Sequence, residues 1–392
     1  MSETASQLDN SAFLASVDDR ERSLWRLLAS LSLGPIGGLA AAVIVDVAAL
    51  LVFALGSGMP AANPGGFAQH IMQLISSGGS TLTGAMLILV VAVSTNCPTA
   101  AGFVAIGAFF SRRRFMDYVT AAPRFRWRLL LAGLLLCALF TGPLILAGLL
   151  TDPKAPRPPI LQLAADPGTR AFYAAACILL FIPAAAAEEI VFRGWLLRHT
   201  AALVRRPALL MIPAAMILNG TAFSAFHGDF VPLLGAVIGL MIGLAAARLI
   251  RLGGSRLWLD VLAGVAGAAA GAYLCFHAFG WKGDWGAFLM RAIMGAGFVY
   301  MTLRLGGTEL STGAHAANNI LIVLFIQPIS LQPQPPSGLD LSSVVQMLFL
   351  FASYVVIAEV VARWTPLRRW TGAALAPAAA QGGDGGPWSH FD

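Results

Sequence analysis

The chain has 392 residues, of which 58% are hydrophobic and only 11% charged, with a mean hydropathy of +0.76. So little charge excludes a soluble domain, which needs a far larger charged surface to stay dissolved, and makes lipid the solvent for most of the chain. The net charge of +6 is carried by Arg residues between apolar stretches and not by an aromatic-interleaved patch, which argues against nucleic acid as a partner and reads as loop charge beside a membrane.

Residues 1–26 are polar, with Asp19, Arg20, Glu21, Arg22 and Arg26 ahead of the first apolar run, so no signal peptide is expected there. A bilayer core requires about 20 apolar residues per helix. Ten segments meet or approach that length, roughly 34–57, 83–110, 129–150, 171–197, 207–227, 230–250, 257–279, 286–305, 311–329 and 342–362. The fold expected is therefore an all-α polytopic membrane protein, a bundle of about ten transmembrane helices. Even-numbered connections are rich in Arg: the second holds Arg112, Arg113, Arg114, Arg124, Arg126 and Arg128, the fourth Arg198, Arg205 and Arg206. Residues 58–82 and 330–341 hold no Lys or Arg. The alternation fits the positive-inside rule and predicts both termini in the cytoplasm.

Residues 112–128 mix Arg with Phe115, Tyr118, Phe125 and Trp127, a composition that predicts an interfacial helix. The proline-rich stretch 151–169 reads as an extended outer loop. Cys97, Cys137, Cys177 and Cys275 each sit inside an apolar run without CxxC spacing, which points to small buried residues and not to a zinc knuckle or a disulfide framework. Asp46, Asn96, Asn219 and Glu359 lack a partner at motif spacing, so structural roles are expected for them; His70, His199 and His390 read as incidental. Trp127, Trp258, Trp281, Trp285, Trp364 and Trp370 fall at helix ends, as aromatic belts do.

Ionisable groups within a membrane helix are costly and need an explanation. Glu188 and Glu189 end a long apolar run. On a helix, Glu189 and Arg193 stand at i and i+4 and can pair. Glu188 points about 100° away and keeps a free carboxylate, the group a general base requires. Phe223 and His227 share a helix face. So do His315 and Asn319, whose imidazole and amide can together hydrogen-bond a developing oxyanion, and can equally hold a metal or a water. An upright packing of these helices would leave His227 near the opposite end of the bundle from Glu188 and His315, more than about 10 Å away at 1.5 Å rise per residue.

The three pairs, Glu188-Glu189-x-x-x-Arg193, Phe223-x-x-x-His227 and His315-x-x-x-Asn319, each on its own predicted membrane helix and in this order, resemble the CAAX-protease and bacteriocin-processing (CPBP, or Abi) family of intramembrane proteases. That family includes the type II CAAX prenyl endopeptidases. Phe192, Gly194 and Trp195 extend the likeness, as do Thr302, Gly306 and Gly307 before the third pair, and it covers roughly 170–330.

The resemblance implies that Glu188 activates a water with help from His227, that His315 and Asn319 stabilise the oxyanion, and that Glu189, Arg193 and Phe223 support them. It leaves zinc, held by Glu188, His227 and His315, and a metal-free mechanism equally open. It implies peptide-bond hydrolysis in a membrane-embedded or membrane-tethered polypeptide, within a lipid bilayer and most simply a bacterial inner membrane. A non-catalytic scaffold or bacteriocin-immunity protein of the same fold, and a transporter using the polar cluster as an ion pathway, are the alternatives.

His227 and His315 lie further apart than in most family members, which predicts an inserted helical pair near 230–284. His277 competes with His227 but lacks a Phe four residues before it. The organisation expected is a cytoplasmic N-terminal segment (1–30), N-terminal membrane helices with the interfacial helix (31–165), a protease-like core (166–330), a last membrane helix (331–365) and a disordered tail (366–392).

Overall fold

A computed structural model describes residues 13–14, 17, 19–56, 66, 69, 71–74, 79–151, 157–203, 208–227, 231–250, 257–280, 283–328 and 339–372. The expectations for His70, Arg205, Arg206, Trp281, His390 and the end of the tail from 373 lie outside those residues.

Among the described residues ten long helices occupy the ten predicted places: α1 (Leu24–Gly56), α2 (Leu82–Ser111), α3 (Trp127–Thr151), α4 (Pro167–Leu203), α5 (Ala208–Phe226), α6 (Val231–Ile250), α7 (Leu257–Phe279), α8 (Trp285–Leu305), α9 (Glu309–Ile326) and α10 (Leu341–Arg363). Eight are long and apolar enough to cross a bilayer, while α5 and α6 qualify only as the shorter apolar stretches Ile212–Phe226 and Val231–Ala247. The chain is an all-helical integral membrane protein. Among the described residues the only β-bridge joins Thr120 to Gly307.

Three expectations are corrected. The first helix begins at Leu24, ten residues before position 34, because Trp25, Leu27 and Leu28 already continue the apolar run and Leu27 is buried. The interfacial helix over 112–128 is not formed. Arg112 ends α2 with φ 52°, and the Arg113 N–H turns back to the Ala108 carbonyl. Only the 3-10 turn Phe115–Tyr118 follows, closed by Arg114 and Asp117. Its continuation is spent on bonds to the α8–α9 connection: the Ala121 N–H donates to Gly306 O at 2.9 Å and the Thr308 N–H to Val119 O at 2.8 Å. Finally, Thr365–Thr371, within the segment expected to be disordered, is a short helix started by Pro366 and stopped by Gly372 at φ +69°.

In lipid, helices gain little from the hydrophobic effect on meeting, so close packing of small residues holds them together. The clearest case is the pair α6–α7. Gly239 faces Gly267 and Gly235 faces Gly271 so closely that a Cβ on any of them would meet the opposing backbone. The pair that matters for the site is α3–α9. A Cβ on Gly313 would run into the Leu130 carbonyl and approach Leu134 N to 2.7 Å, and one on Gly133 would strike the Leu310 carbonyl. Gly313 lies two residues before His315, so this contact fixes where the imidazole starts.

Two buried ion pairs tie the remaining segments to the core. Arg126, just before α3, grips Glu309 at the start of α9 through Nε–Oε1 (2.9 Å) and Nη2–Oε2 (2.7 Å) and donates to Leu305 O. Glu21 accepts from Arg198 Nε at 2.7 Å and from Arg113 Nη2 at 3.3 Å. Burial alone would raise the Glu21 carboxyl, but the charge and hydrogen bond of Arg198 outweigh it and hold the group below its ordinary value. Arg198 also donates to Phe13 O, and Phe13, Leu14 and Val17 pack against Leu197, Ala202, Ile212 and Val299. The N-terminal segment is thus a strap under the C-terminal part of α4. His199 is buried there, stacked on Trp195.

Two of the lone membrane polar groups, Asp46 and Glu359, clamp one helix to another. Asp46 accepts from Ser94 and, at 2.9 Å, from Thr95. Asn219 donates to Ala215 O. Glu359 gathers Tyr300, Arg304 and Arg363.

Gly313→Ala is expected to destabilise the protein by about 1–3 kcal/mol through overpacking and to displace His315. A melting temperature in detergent equal to wild type would contradict this.

Candidate active site

α4 carries both carboxylates and is unusually long. Its 37 residues correspond to about 55 Å at 1.5 Å per residue, well beyond the roughly 30 Å of a bilayer core. Glu188 precedes the end of α4 at Leu203 by 15 residues (203 − 188), a rise of about 22 Å. His227 follows the start of α5 at Ala208 by 19 residues (227 − 208), about 28 Å in the returning direction. The overshoot and the return nearly cancel. The separation of more than 10 Å expected for His227 is therefore absent, and the imidazole comes back to the level of Glu188.

α4 and α9 each carry a π-helical turn directly after their motif residues, Ile190–Leu196 and Ile322–Ile326. Such turns shift the phase of a helix and recur at functional sites. Here the α4 turn contains Arg193 and still leaves its Nη1 3.1 Å from Glu189 Oε1.

Glu188 Oε2 lies 3.5 Å from His227 Nε2 and 3.6 Å from His315 Nε2. These distances are longer than a good direct hydrogen bond. The far nitrogens fix the tautomers. His227 Nδ1 stands 2.7 Å from the Phe223 carbonyl, and His315 Nδ1 stands 3.0 Å from Glu189 Oε1. Both partners can only accept, so both Nδ1 atoms carry hydrogen and both Nε2 atoms face Glu188. Three acceptors then converge unless a proton or a donor lies among them. Glu188, Glu189 and Arg193 together carry one net negative charge, which one imidazolium neutralises.

Around the charges stands an aromatic frame. The Arg193 guanidinium lies 4.4 Å from the Phe223 ring centroid and 5.2 Å from that of Phe298, distances at which a desolvated cation is attracted to the ring face. Phe298 stacks on the His315 imidazole at 5.0 Å, and Phe223 packs edge-on against His227. Access is graded: the side chain of His227 is 28% exposed, that of Glu188 13% and that of His315 2%. The cluster therefore opens past His227, at the end of α5.

Glu188, Glu189, Arg193, Phe223, His227 and His315 all meet in this cluster. Asn319 shares the His315 face of α9, is half-buried, and its side chain makes no hydrogen bond among the described residues. His277 lies elsewhere, exposed on α7 against Tyr273. Sequence reasoning missed Phe298 and the Arg126–Glu309 pair; the Gly306-Gly307 stretch before Glu309 was the available signal for the latter. Among the described residues no group of three or more His, Cys, Asp or Glu side chains is arranged to hold a metal ion.

Residues 170–263 match the family model described as type II CAAX prenyl endopeptidase Rce1-like. The match spans the Glu188-Glu189-Arg193 and Phe223-His227 motifs and ends before His315. It is consistent with the resemblance that the three motifs carry to the CAAX-protease and bacteriocin-processing family, and it points to CAAX-protease-type activity in the membrane. No curated protein and no solved structure matches the chain.

Glu189→Ala would leave Arg193 and His315 Nδ1 buried without their shared acceptor. The expected cost is about 3–5 kcal/mol of stability, read as a lowered melting temperature; an unaltered melt would refute the pairing.

Proposed function

We propose that this protein is an intramembrane endopeptidase that hydrolyses a peptide bond of a membrane-embedded or membrane-tethered polypeptide, using a water activated by Glu188. The observation that carries the reading is the convergence of Glu188, His227 and His315, from three separate helices, with both Nε2 atoms 3.5 and 3.6 Å from Glu188 Oε2.

In this mechanism Glu188 takes a proton from the water as its oxygen bonds to the scissile carbonyl carbon. The oxyanion that forms accepts hydrogen bonds from the Asn319 amide and from His315 Nε2, whose imidazolium is balanced by Glu189. His227 faces Glu188 and the accessible edge of the site. It relays the proton to the leaving amine as the C–N bond breaks. Phe223 and Phe298 keep bulk water away from the Glu189–Arg193–His315 pairings, which strengthens them. The mechanism needs only the chain's own residues and one water, without a metal. The Arg-rich even-numbered connections support placing both termini, and the overshooting end of α4, on the cytoplasmic side of a bacterial inner membrane.

Two measurements test the proposal. Glu188→Gln removes the base with almost no change of shape, so purified variant in proteoliposomes is expected to lose cleavage of a membrane-tethered peptide by at least about 100-fold with its melting curve intact. Cleavage at the wild-type rate would sink the catalytic role and leave a scaffold of this fold. Exhaustive chelation of the wild-type enzyme is expected to leave turnover unchanged; loss of activity restored by Zn²⁺ would replace the metal-free mechanism.

A further inference from the structure

Tyr354 lies on α10, outside the three motifs and outside the segment matched by the family model. It is fully buried. Its ring occupies a groove opened by Gly297 of α8, where a Cβ would come within 2.6 Å of Tyr354 Cδ2, and packs on Phe298 at 4.8 Å. Phe298 is the same ring that stacks on His315 and faces the Arg193 guanidinium. Tyr354, Arg193 and His315 are thus grouped about one aromatic side chain, and Tyr354 lies in electrostatic reach of both Glu189 and Arg193.

Buried tyrosine hydroxyls normally find a hydrogen-bond partner. The Tyr354 hydroxyl has none among the described residues, and the same holds for Glu189 Oε2 and for the Arg193 guanidinium nitrogens, whose contact with Glu189 is an ion pair without hydrogen-bond alignment. An acceptor, a set of donors and a hydroxyl capable of both are therefore left unsatisfied among the side chains grouped about Phe298 and His315. That combination is what a buried structural water requires, two to four polar partners in a site closed to bulk solvent.

We propose that Tyr354 is a positioning residue for His315, acting through a buried water that joins its hydroxyl to Glu189 Oε2 and the Arg193 guanidinium. Glu189 Oε1 holds the His315 Nδ1–H. The partners of the second oxygen decide how the carboxylate is turned and how strongly it draws that proton, as outer partners of a carboxylate–histidine pair do. Tyr354 never touches the substrate in this scheme. Its kinetic consequence rests on the proteolytic reading above; its structural consequence does not.

The test uses the full-length protein with ¹⁵N-labelled histidine, comparing wild type with Tyr354→Phe, which keeps the ring on Phe298 and deletes only the hydroxyl. The His315 Nδ1–H resonance, assigned by its loss in His315→Gln, is expected to shift, and kcat to fall about tenfold with KM within about twofold. A His315 resonance that stays in place overturns the proposal. If wild type cleaves nothing, the proteolytic reading fails while the resonance still decides the role of Tyr354. Should Tyr354→Phe not fold, fluorotyrosine at 354 keeps ring and hydroxyl while making the O–H more acidic, and the same shift is expected; an unmoved signal there also refutes the water link.

Discussion

A carboxylate in the interior of a membrane helix must find its counter-charge within the protein, because lipid supplies none. Glu189 finds two. One oxygen is shared by the Arg193 guanidinium, a turn further along the same helix, and by the His315 imidazole from α9. That shared oxygen gives the imidazole its tautomer and turns its other nitrogen toward Glu188. The neighbouring carboxylate is thereby left outside this pairing. Two adjacent glutamates of identical composition are assigned different work by their phase on the helix, one spent on internal compensation and the other presented to a partly accessible cup.

Adjacent to this pairing, the packing is arranged so that little can move. Arg193 is fully buried among Phe192, Phe223 and Phe298, and Gly295 permits this by leaving room for the guanidinium; a Cβ there would stand 3.2 Å from Nη2. α9 is held on α3 by glycines at 133 and 313 and at its start by the Arg126–Glu309 pair. The polar cluster is rigid at His315, which is almost closed off, and more open at His227, which ends its helix.

Much of this was legible in the residues. Helices α1 to α10 could be read because a bilayer imposes apolar runs near 20 residues, and the three motifs because i, i+4 spacing places Glu189 with Arg193, Phe223 with His227 and His315 with Asn319 on shared faces. The meeting of the three faces was not legible. It depends on α4 overshooting, and Arg198, His199 and Thr200 look like loop residues until the strap that buries them is seen. The segment 112–128 has the composition of an interfacial helix, yet its backbone is committed to Gly306 and Thr308, nearly 190 residues away. Phe298 and Tyr354 were invisible for another reason: aromatic residues in a membrane helix carry no spacing signal that distinguishes a ring facing a buried imidazole from one facing lipid.

The strap beneath α4 has a consequence for how the molecule comes to exist. Glu21 and Arg198 are separated by 177 positions, and a chain emerges in order, at about 5–20 residues per second. The acidic partner is made first and must wait in water while four helices are inserted above it. Only when the fourth has emerged can the guanidinium be neutralised and Phe13 be covered. The completion of the helix that bears both carboxylates is therefore coupled to the return of a segment made before any of the ten helices.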